Sequence, residues 1–266
     1  MGTTTEKLLR WADYIVINTS AGKDSQAMMD YVCRLAFSAG MLHKVVAVHA
    51  DLGRVEWKGT RELAEEHAKY YGIPFHVVRR EKGDLLEQVE ARGMWPDSGN
   101  RYCTSDQKRD QVAKFHTQLS LKPVVPGRRV RILNCMGFRK DESPARAKRR
   151  PVQADSRTTN GKKAVLNWLP IHTWSVDLVW STIRASGVPH HYAYDKGMPR
   201  LSCCFCIFAP KDALVIAGRE NPELLAEYVR VEAKIGHSFR NKFKIAEVQE
   251  AIAAGYQPKN VQNWTM

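Results

Sequence analysis

Apolar runs and amphipathic stretches alternate along the first eighty residues. Tyr14-Ile15-Val16-Ile17-Asn18 is a short apolar run of strand type, followed by the turn Thr19-Ser20-Ala21-Gly22-Lys23. Asp24 to Ser38 repeats apolar residues at helical spacing, with Met28, Met29, Val32, Leu35 and Ala36 on one side and Gly40 beyond the end. Val45-Val46-Ala47-Val48 predicts a second buried strand, closed by His49-Ala50-Asp51-Leu52-Gly53. Gly59 to Tyr71 predicts a helix stopped by Gly72 and Pro74, and Phe75-His76-Val77-Val78 a third strand. Repeated strand–helix–strand units predict an α/β fold, a parallel sheet sandwiched by helices. Ligands of such sheets bind beyond the strands' carboxyl ends.

From about Gly83 the pattern is irregular. Asp106 to Leu119 predicts a helix and Val130 to Asn134 a fourth strand. Residues 140–163 carry few apolar anchors and predict a mobile basic loop. Trp174 to Ser186 predicts a helix with Val176, Leu178, Val179 and Ile183 toward the core, and Trp174 and Trp180 packing it on the sheet. Pro222 to Ile235 and Phe243 to Ala253 predict amphipathic helices. The expected organisation is a domain over residues 1–210 and a C-terminal helical extension over 211–266 packed on it.

With 266 residues the chain is long enough to bury a substantial core, and its 44% hydrophobic and 26% charged residues exclude wholesale disorder. No apolar run approaches the roughly 20 residues of a membrane span. The stretch Met1 to Glu6 lacks the basic-then-apolar pattern of a secretory signal, so a cytoplasmic protein with no membrane partner is expected. Charge changes the picture more. Of the net +13, the stretch from Lys122 to Lys163 carries +10, with thirteen Lys/Arg against Asp141, Glu142 and Asp155. A field concentrated in this way suits a polyanion, and nucleic acid is the commonest one.

Six cysteines are present, and Cys203, Cys204 and Cys206 fall within four residues. In a cytoplasmic chain such a cluster points to metal or redox chemistry, with disulfides disfavoured. Cys33 lies inside the first long helix and is expected in the core. His190-His191, as tandem neighbours, point apart and are expected as a surface pair.

The sharpest motif is Ser20-Ala21-Gly22-Lys23-Asp24-Ser25, between a strand and a helix. Small residues let the backbone curl so that its N–H groups point inward. The helix N-terminus adds partial positive charge, the serines add hydroxyls and Lys23 adds a full charge, which together suit phosphate. The motif resembles the PP-loop, Ser-Gly-Gly-Lys-Asp-Ser, of the ATP pyrophosphatase superfamily, which includes the phosphoadenosine-phosphosulfate (PAPS) reductases. Ala21 stands where that pattern has its first Gly, and a methyl there restricts the backbone. Further segments resemble the PAPS-reductase pattern in the same order: His49-Ala50-Asp51-Leu52-Gly53, with Leu52 in place of Thr; Arg101-Tyr102-Cys103-Thr104 with Lys108-Arg109; Gly137-Phe138-Arg139-Lys140-Asp141-Glu142-Ser143; Leu169-Pro170-Ile171 through Trp180; and Arg200-Leu201-Ser202-Cys203 with Cys206.

The resemblance implies a HUP-like, Rossmann-related domain that binds ATP with Mg²⁺. It places His49, Asp51, Gly137, Arg139 and Glu142 beside the loop residues, with Lys23, Asp24, Asp51 and Arg139 catalytic and Asp51 and Glu142 as magnesium or ribose contacts. It brings Cys103, Cys203 and Cys206 together, with Cys204 or Cys135 as a fourth ligand, for a [4Fe–4S] cluster, zinc or metal-free redox thiols. The nearest implied relatives are DNA phosphorothioation proteins of the DndC/SspD type. There ATP adenylates an acceptor oxygen and sulfur from a cysteine desulfurase replaces it; DNA is favoured over tRNA as acceptor, and the oligomeric state is left open. A sulfonucleotide reductase and a tRNA thiolase are the alternatives. The reductases commonly carry a nucleophilic cysteine in a C-terminal Glu-Cys-Gly-His-like segment, and this sequence has no cysteine after Cys206.

Overall fold

The computed structural model describes residues 4–122, 124–262 and 264; Met1, Gly2 and Thr3 of the N-terminal reading lie outside them. The apolar runs pair into one six-stranded sheet. Its strands are β1 (Tyr14–Thr19), β2 (Val45–Asp51), β3 (Phe75–Arg79), β4 (Val130–Cys135), β5 (Val152–Ala154) and β6 (Lys163–Trp168), ordered β3-β2-β1-β4-β6-β5. β1 pairs in parallel with β2 and β4, β4 pairs in parallel with β6, and β5 runs antiparallel to β6. The fold is mixed α/β with a mostly parallel sheet flanked by helices. Those helices are α1 (Thr4–Trp11), α2 (Lys23–Ser38), α3 (Thr60–Tyr70), α4 (Leu85–Arg92), the single turn α5 (Tyr102–Thr104), α6 (Asp110–Leu119), α7 (Pro144–Ala147), α8 (Val176–Ser186), α9 (Lys211–Glu220), α10 (Pro222–Ile235) and α11 (Ala246–Ala253).

The residues divide into two compact units. The first comprises the residues up to Ala50, Thr60–Val78 and Gln111–His190; the second comprises Asp51–Gly59, Arg79–Asp110 and the residues from His191 on. In the first unit β1 is buried on both faces, which is why it reads as an unbroken apolar run. Ile15 and Ile17 pack with Leu9 of α1, Met28, Met29 and Val32 of α2 and Val179 and Ile183 of α8. Val16 faces the other way, with Val46, Val48, Ile132 and Val165, toward Phe115 of α6. Burying each such aliphatic side chain is worth about 1.5–3 kcal/mol.

At the carboxyl end of that second face the apolar layer gives way to an amide ladder. Asn18 Nδ2 donates to Asn134 Oδ1 at 2.7 Å, and Asn134 Nδ2 donates to Asn167 Oδ1 at 2.7 Å. His116 of α6 is buried in this layer beside Asn134, which acts against the downward shift of its pKa. Burial and the neighbouring Lys163 push its pKa down to about 4.

The second unit has its own core, in which Trp95 stacks on Tyr228 at 5.2 Å and Phe205, Leu214 and Phe239 pack around them. The Glu232 carboxylate accepts from the N–H groups of Phe239 (2.7 Å) and Ile245 (3.0 Å), tying the segment before α11 to α10.

The structure departs from the sequence expectations at five places. His191, expected with His190 at the surface, is buried, and its Nδ1 accepts from Ala193 N–H at 3.1 Å, capping the turn that follows. In the helix over 174–186, Val179 and Ile183 are buried, but Val176 and Leu178 are exposed. Ser175 caps α8 through Leu178 N–H, so Val176 and Leu178 fall in the solvent-facing first turn. Residues 140–163 are a set of short elements, where a loop was expected. Ser143 caps α7, with Pro144 at its first position, and β5 takes its backbone partners from β6, so few apolar anchors are needed. The helix expected from Asp106 starts as α5 and passes through a π-helical turn, Ser105–Arg109, into α6. Finally α1, α4, α9 and β6 were not read. For α4 a signal was present: Asp84 and Glu87 form a reciprocal capping box, and Gly93 closes the helix in a left-handed conformation.

Candidate functional site

The loop after β1 closes on itself before α2 begins. Ser25 Oγ donates to Gly22 O at 2.8 Å and accepts from Ser20 N–H at 3.2 Å. Gly22 is the N-cap of α2 and offers no side chain to that end, so the first N–H groups of a 16-residue helix are not capped by it. Ala21 sits at φ +55° and is buried. It holds the left-handed conformation that a glycine adopts freely and that costs an L-residue about 1–2 kcal/mol. Ala21→Gly is therefore expected to stabilise the protein by about 1 kcal/mol, the relief being partly offset by the looser unfolded chain. Urea unfolding checks this; an unchanged or lower midpoint would show that the loop holds no such strain.

Three charged side chains meet at this end of α2. Lys23 Nζ lies 3.3 Å from Asp24 Oδ2, and Arg139 Nε lies 2.5 Å from Asp24 Oδ1. Lys23 and Arg139 are both buried. Two cations converge on one carboxylate beside the positive end of the helix, with Asp141 a further partner of Arg139 at 3.9 Å. Gly137 explains how Arg139 gets there. A Cβ built on Gly137 would stand 2.9 Å from Asp24 O and 3.1 Å from Ser25 N, so the chain after β4 runs directly against the loop backbone. This arrangement can hold a phosphate chain. Glu142, expected at the nucleotide, has its Oε2 engaged by Arg139 N–H (2.9 Å) and by the Arg146 guanidinium. It acts here as a clamp on its own turn. His49 is buried and donates from Nδ1 to Thr19 O at 3.1 Å. Asp51 Oδ1 accepts from Gly53 N–H at 2.7 Å and is counted with the second unit.

The thiols lie in the second unit. All six cysteines are free, and Cys33 is buried in the core, as expected. Cys103, Cys203 and Cys206 are half-buried and share the electrostatic neighbourhood of Lys108. Burial pulls the Lys108 ammonium down, but Cys203, Glu56, Cys103 and Cys206 outweigh it and the net direction is up. Burial pushes the Cys203 thiol up to about 12 and also raises Cys206, while Lys108 opposes both shifts. Cys204 is not brought to this set. It is buried in the apolar core, its N–H donates to Val55 O at 2.9 Å, and its thiol is raised by burial and then by Cys203. Cys135, the other possible fourth ligand, is wholly buried at the end of β4 in the first unit.

Among the described residues no three His, Cys, Asp or Glu side chains are arranged to hold a metal ion. The thiols are the right kind of donor for iron or zinc.

Two residues of this unit escaped the sequence reading as individuals. Lys108 was visible only as part of a segment, and the π-helical turn gives it its place among the thiols. Arg240 carried no signal at all. Its Nη1 donates to Ala209 O at 2.6 Å and its guanidinium lies 4.3 Å from the Phe243 ring, which holds the turn after Cys206.

An α/β sheet with a phosphate-type loop after its first strand, joined to a thiol-bearing second unit, is the class of protein these features define. The chain belongs to the phosphoadenosine phosphosulfate reductase domain family, whose model it matches over residues 14–209. It is 25% identical over 229 residues to adenosine 5'-phosphosulfate reductase 2 of Bacillus subtilis, covering 81% of this chain and 86% of that protein. It is 27% identical over 218 residues to an uncharacterised protein of Methanocaldococcus jannaschii, covering 82% of this chain but 41% of that relative's length. A shorter match of 86 residues, 27% identical, joins it to a tRNA-cytidine(32) 2-sulfurtransferase of Burkholderia cenocepacia, over 32% of this chain and 25% of that one.

Proposed function

We propose that the protein is an ATP pyrophosphatase that adenylates an acceptor oxygen so that sulfur can take its place. The observation that carries this reading is the convergence of the buried Lys23 and Arg139 on Asp24 at the N-terminus of α2. In this reading Ser20, Ala21, Gly22, Lys23, Asp24 and Ser25 hold the phosphates of ATP, with Mg²⁺ offsetting their charge. Asp51 is assigned to the magnesium or the ribose on the family resemblance alone. The acceptor oxygen attacks the α-phosphorus, the bond to the β-phosphate oxygen breaks, and pyrophosphate leaves. Lys23 and Arg139 stabilise the charge that collects on the departing group. A persulfide sulfur supplied by a cysteine desulfurase then attacks the activated centre, and AMP departs with the original oxygen. A further thiol attacks the remaining S–S bond, freeing the sulfur on the acceptor and ending as a disulfide.

DNA backbone phosphate is the leading acceptor on the motif resemblance to the DndC/SspD type, and the match to a tRNA sulfurtransferase supports tRNA as the other. A second reading, sulfonucleotide reduction, is favoured by the near full-length match to adenosine 5'-phosphosulfate reductase 2. Mass spectrometry of DNA and tRNA from cells with and without the gene separates these. Sulfur in place of oxygen, lost with the gene, is the expected result. Sulfite released from a sulfonucleotide by the purified protein, with no pyrophosphate from ATP, would establish reduction and reject the first reading. A [4Fe–4S] cluster on Cys103, Cys203 and Cys206 is the proposed cofactor, supported by the three thiols' shared neighbourhood. Anaerobic protein should be brown, absorbing near about 400 nm, and Cys103→Ala should lose that colour; full retention would exclude Cys103 as a ligand.

A further inference from the structure

Immediately after Arg139 the chain turns through Lys140–Glu142 and enters α7, and this short stretch carries an unusual density of cations. Lys140, Lys148, Arg149 and Arg150 are all exposed. Among the described residues Lys140, Lys148 and Arg150 have no acidic partner. The acids of the stretch are already engaged: Asp141 lies 3.9 Å from Arg139, and Glu142 clamps Arg139 N–H and Arg146. Phe138 organises the patch further. Its ring lies 4.5 Å from the Arg146 guanidinium and 5.4 Å from that of Arg149, so both are held in place before any ligand arrives. The patch is tied to the phosphate loop within the same unit, through Arg139 and its 2.5 Å pair with Asp24.

Exposed cations and Pro151 beside the edge strand β5 also suit a simpler role, keeping that edge from pairing with another sheet. Edge protection needs charge of either sign. It does not need three cations free of acids, two aromatic-held guanidiniums and a rigid link to the loop at α2.

We propose that Lys140, Lys148, Arg149 and Arg150 form a docking surface for the phosphodiester backbone of a nucleic acid, placed by the Glu142–Arg146–Phe138 clamp. This rests on the reading of the loop as an ATP site for a nucleic-acid acceptor, and it assigns where that acceptor lies. The occupant is a nucleic acid, recognised by its sugar–phosphate backbone, and the type of polymer is an outcome of the test.

The test is fluorescence anisotropy of the whole protein with labelled duplex DNA, single-stranded DNA and tRNA over a salt series, with ATP binding measured by calorimetry on the same preparations. Four backbone contacts predict an affinity loss of about 10²-fold between 50 and 200 mM salt. Lys148→Glu with Arg150→Glu should lower the salt slope by about two and the affinity at 50 mM salt at least about tenfold. Lys7→Glu with Arg184→Glu, an equal charge change on α1 and α8, should do neither. The proposal is overturned if the Lys148/Arg150 variant keeps the wild-type affinity and slope, or if the Lys7/Arg184 variant loses as much. It is also overturned if the wild type binds no polymer while binding ATP, which leaves the ATP reading standing. Binding of nucleic acid without ATP would do the reverse, keeping the surface and rejecting the loop assignment.

Discussion

Replacing Lys23 with alanine is expected to cut pyrophosphate release from ATP by about 10²–10³-fold, the usual cost of removing one preorganised charge donor from a site where charge develops. The protein should stay folded. Asp24 keeps its 2.5 Å partner Arg139, so the substitution leaves no carboxylate stranded. The helix N-terminus and the Ser25–Gly22 closure are also untouched. Pyrophosphate release is measured by a coupled assay, with circular dichroism as the check on folding. Undiminished release by a folded Lys23→Ala protein would remove the loop from the reaction, and with it the adenylation scheme.

The second large effect is on stability against pH. His116 is buried, and burial and the nearby Lys163 bring its pKa down to about 4 in the folded protein, from about 6.5 in an unfolded chain. Between those values the unfolded chain binds the extra proton and the folded one does not. Stability from this group is therefore complete above about pH 6.5 and is lost as pH falls toward 4, by about 3 kcal/mol in all. His116→Leu removes the titrating group, so its unfolding free energy should lack that part of the acid limb. The measurement is denaturant unfolding at a series of pH values, compared as wild type minus variant. Parallel curves from pH 7 to 4 would show that His116 is not held neutral.

The sheet was legible in the sequence to an unusual depth on its amino-terminal side. β1, α2, β2 and α3 are each within a few residues of their expected bounds, because strands buried on both faces must be continuous apolar runs and their helices must carry one apolar side. Beyond Gly83 β4, α8, α10 and α11 also match their expected positions, and legibility failed elsewhere for two different physical reasons. In α4 and α9 the local signals exist but are short, and their apolar residues serve a core assembled from Trp57, Trp95, Tyr102 and Tyr228, far apart along the chain. In β5 and β6 the stability comes from pairing, with Gln153 opposite Asn167, and pairing leaves little mark on either segment alone. The phosphate loop was readable because its requirements are local: small residues, a strand before and a helix after. The position of Glu142 was not, since a carboxylate near a nucleotide motif and one clamping Arg146 look alike in sequence.

The order of apolar and polar residues alone thus determined the parallel α/β sheet, the phosphate loop after its first strand and the concentration of positive charge beyond Lys122. Tertiary structure decided which charges meet: that Arg139 reaches Asp24 across the bare backbone of Gly137, that Lys108 lies among three half-buried thiols, and that Cys204 is withdrawn into the core. The reason is distance. Backbone preference and side-chain periodicity act over a few residues and are written locally, whereas the energy of a charge depends on every group within about 10 Å, and only the folded chain fixes who those neighbours are.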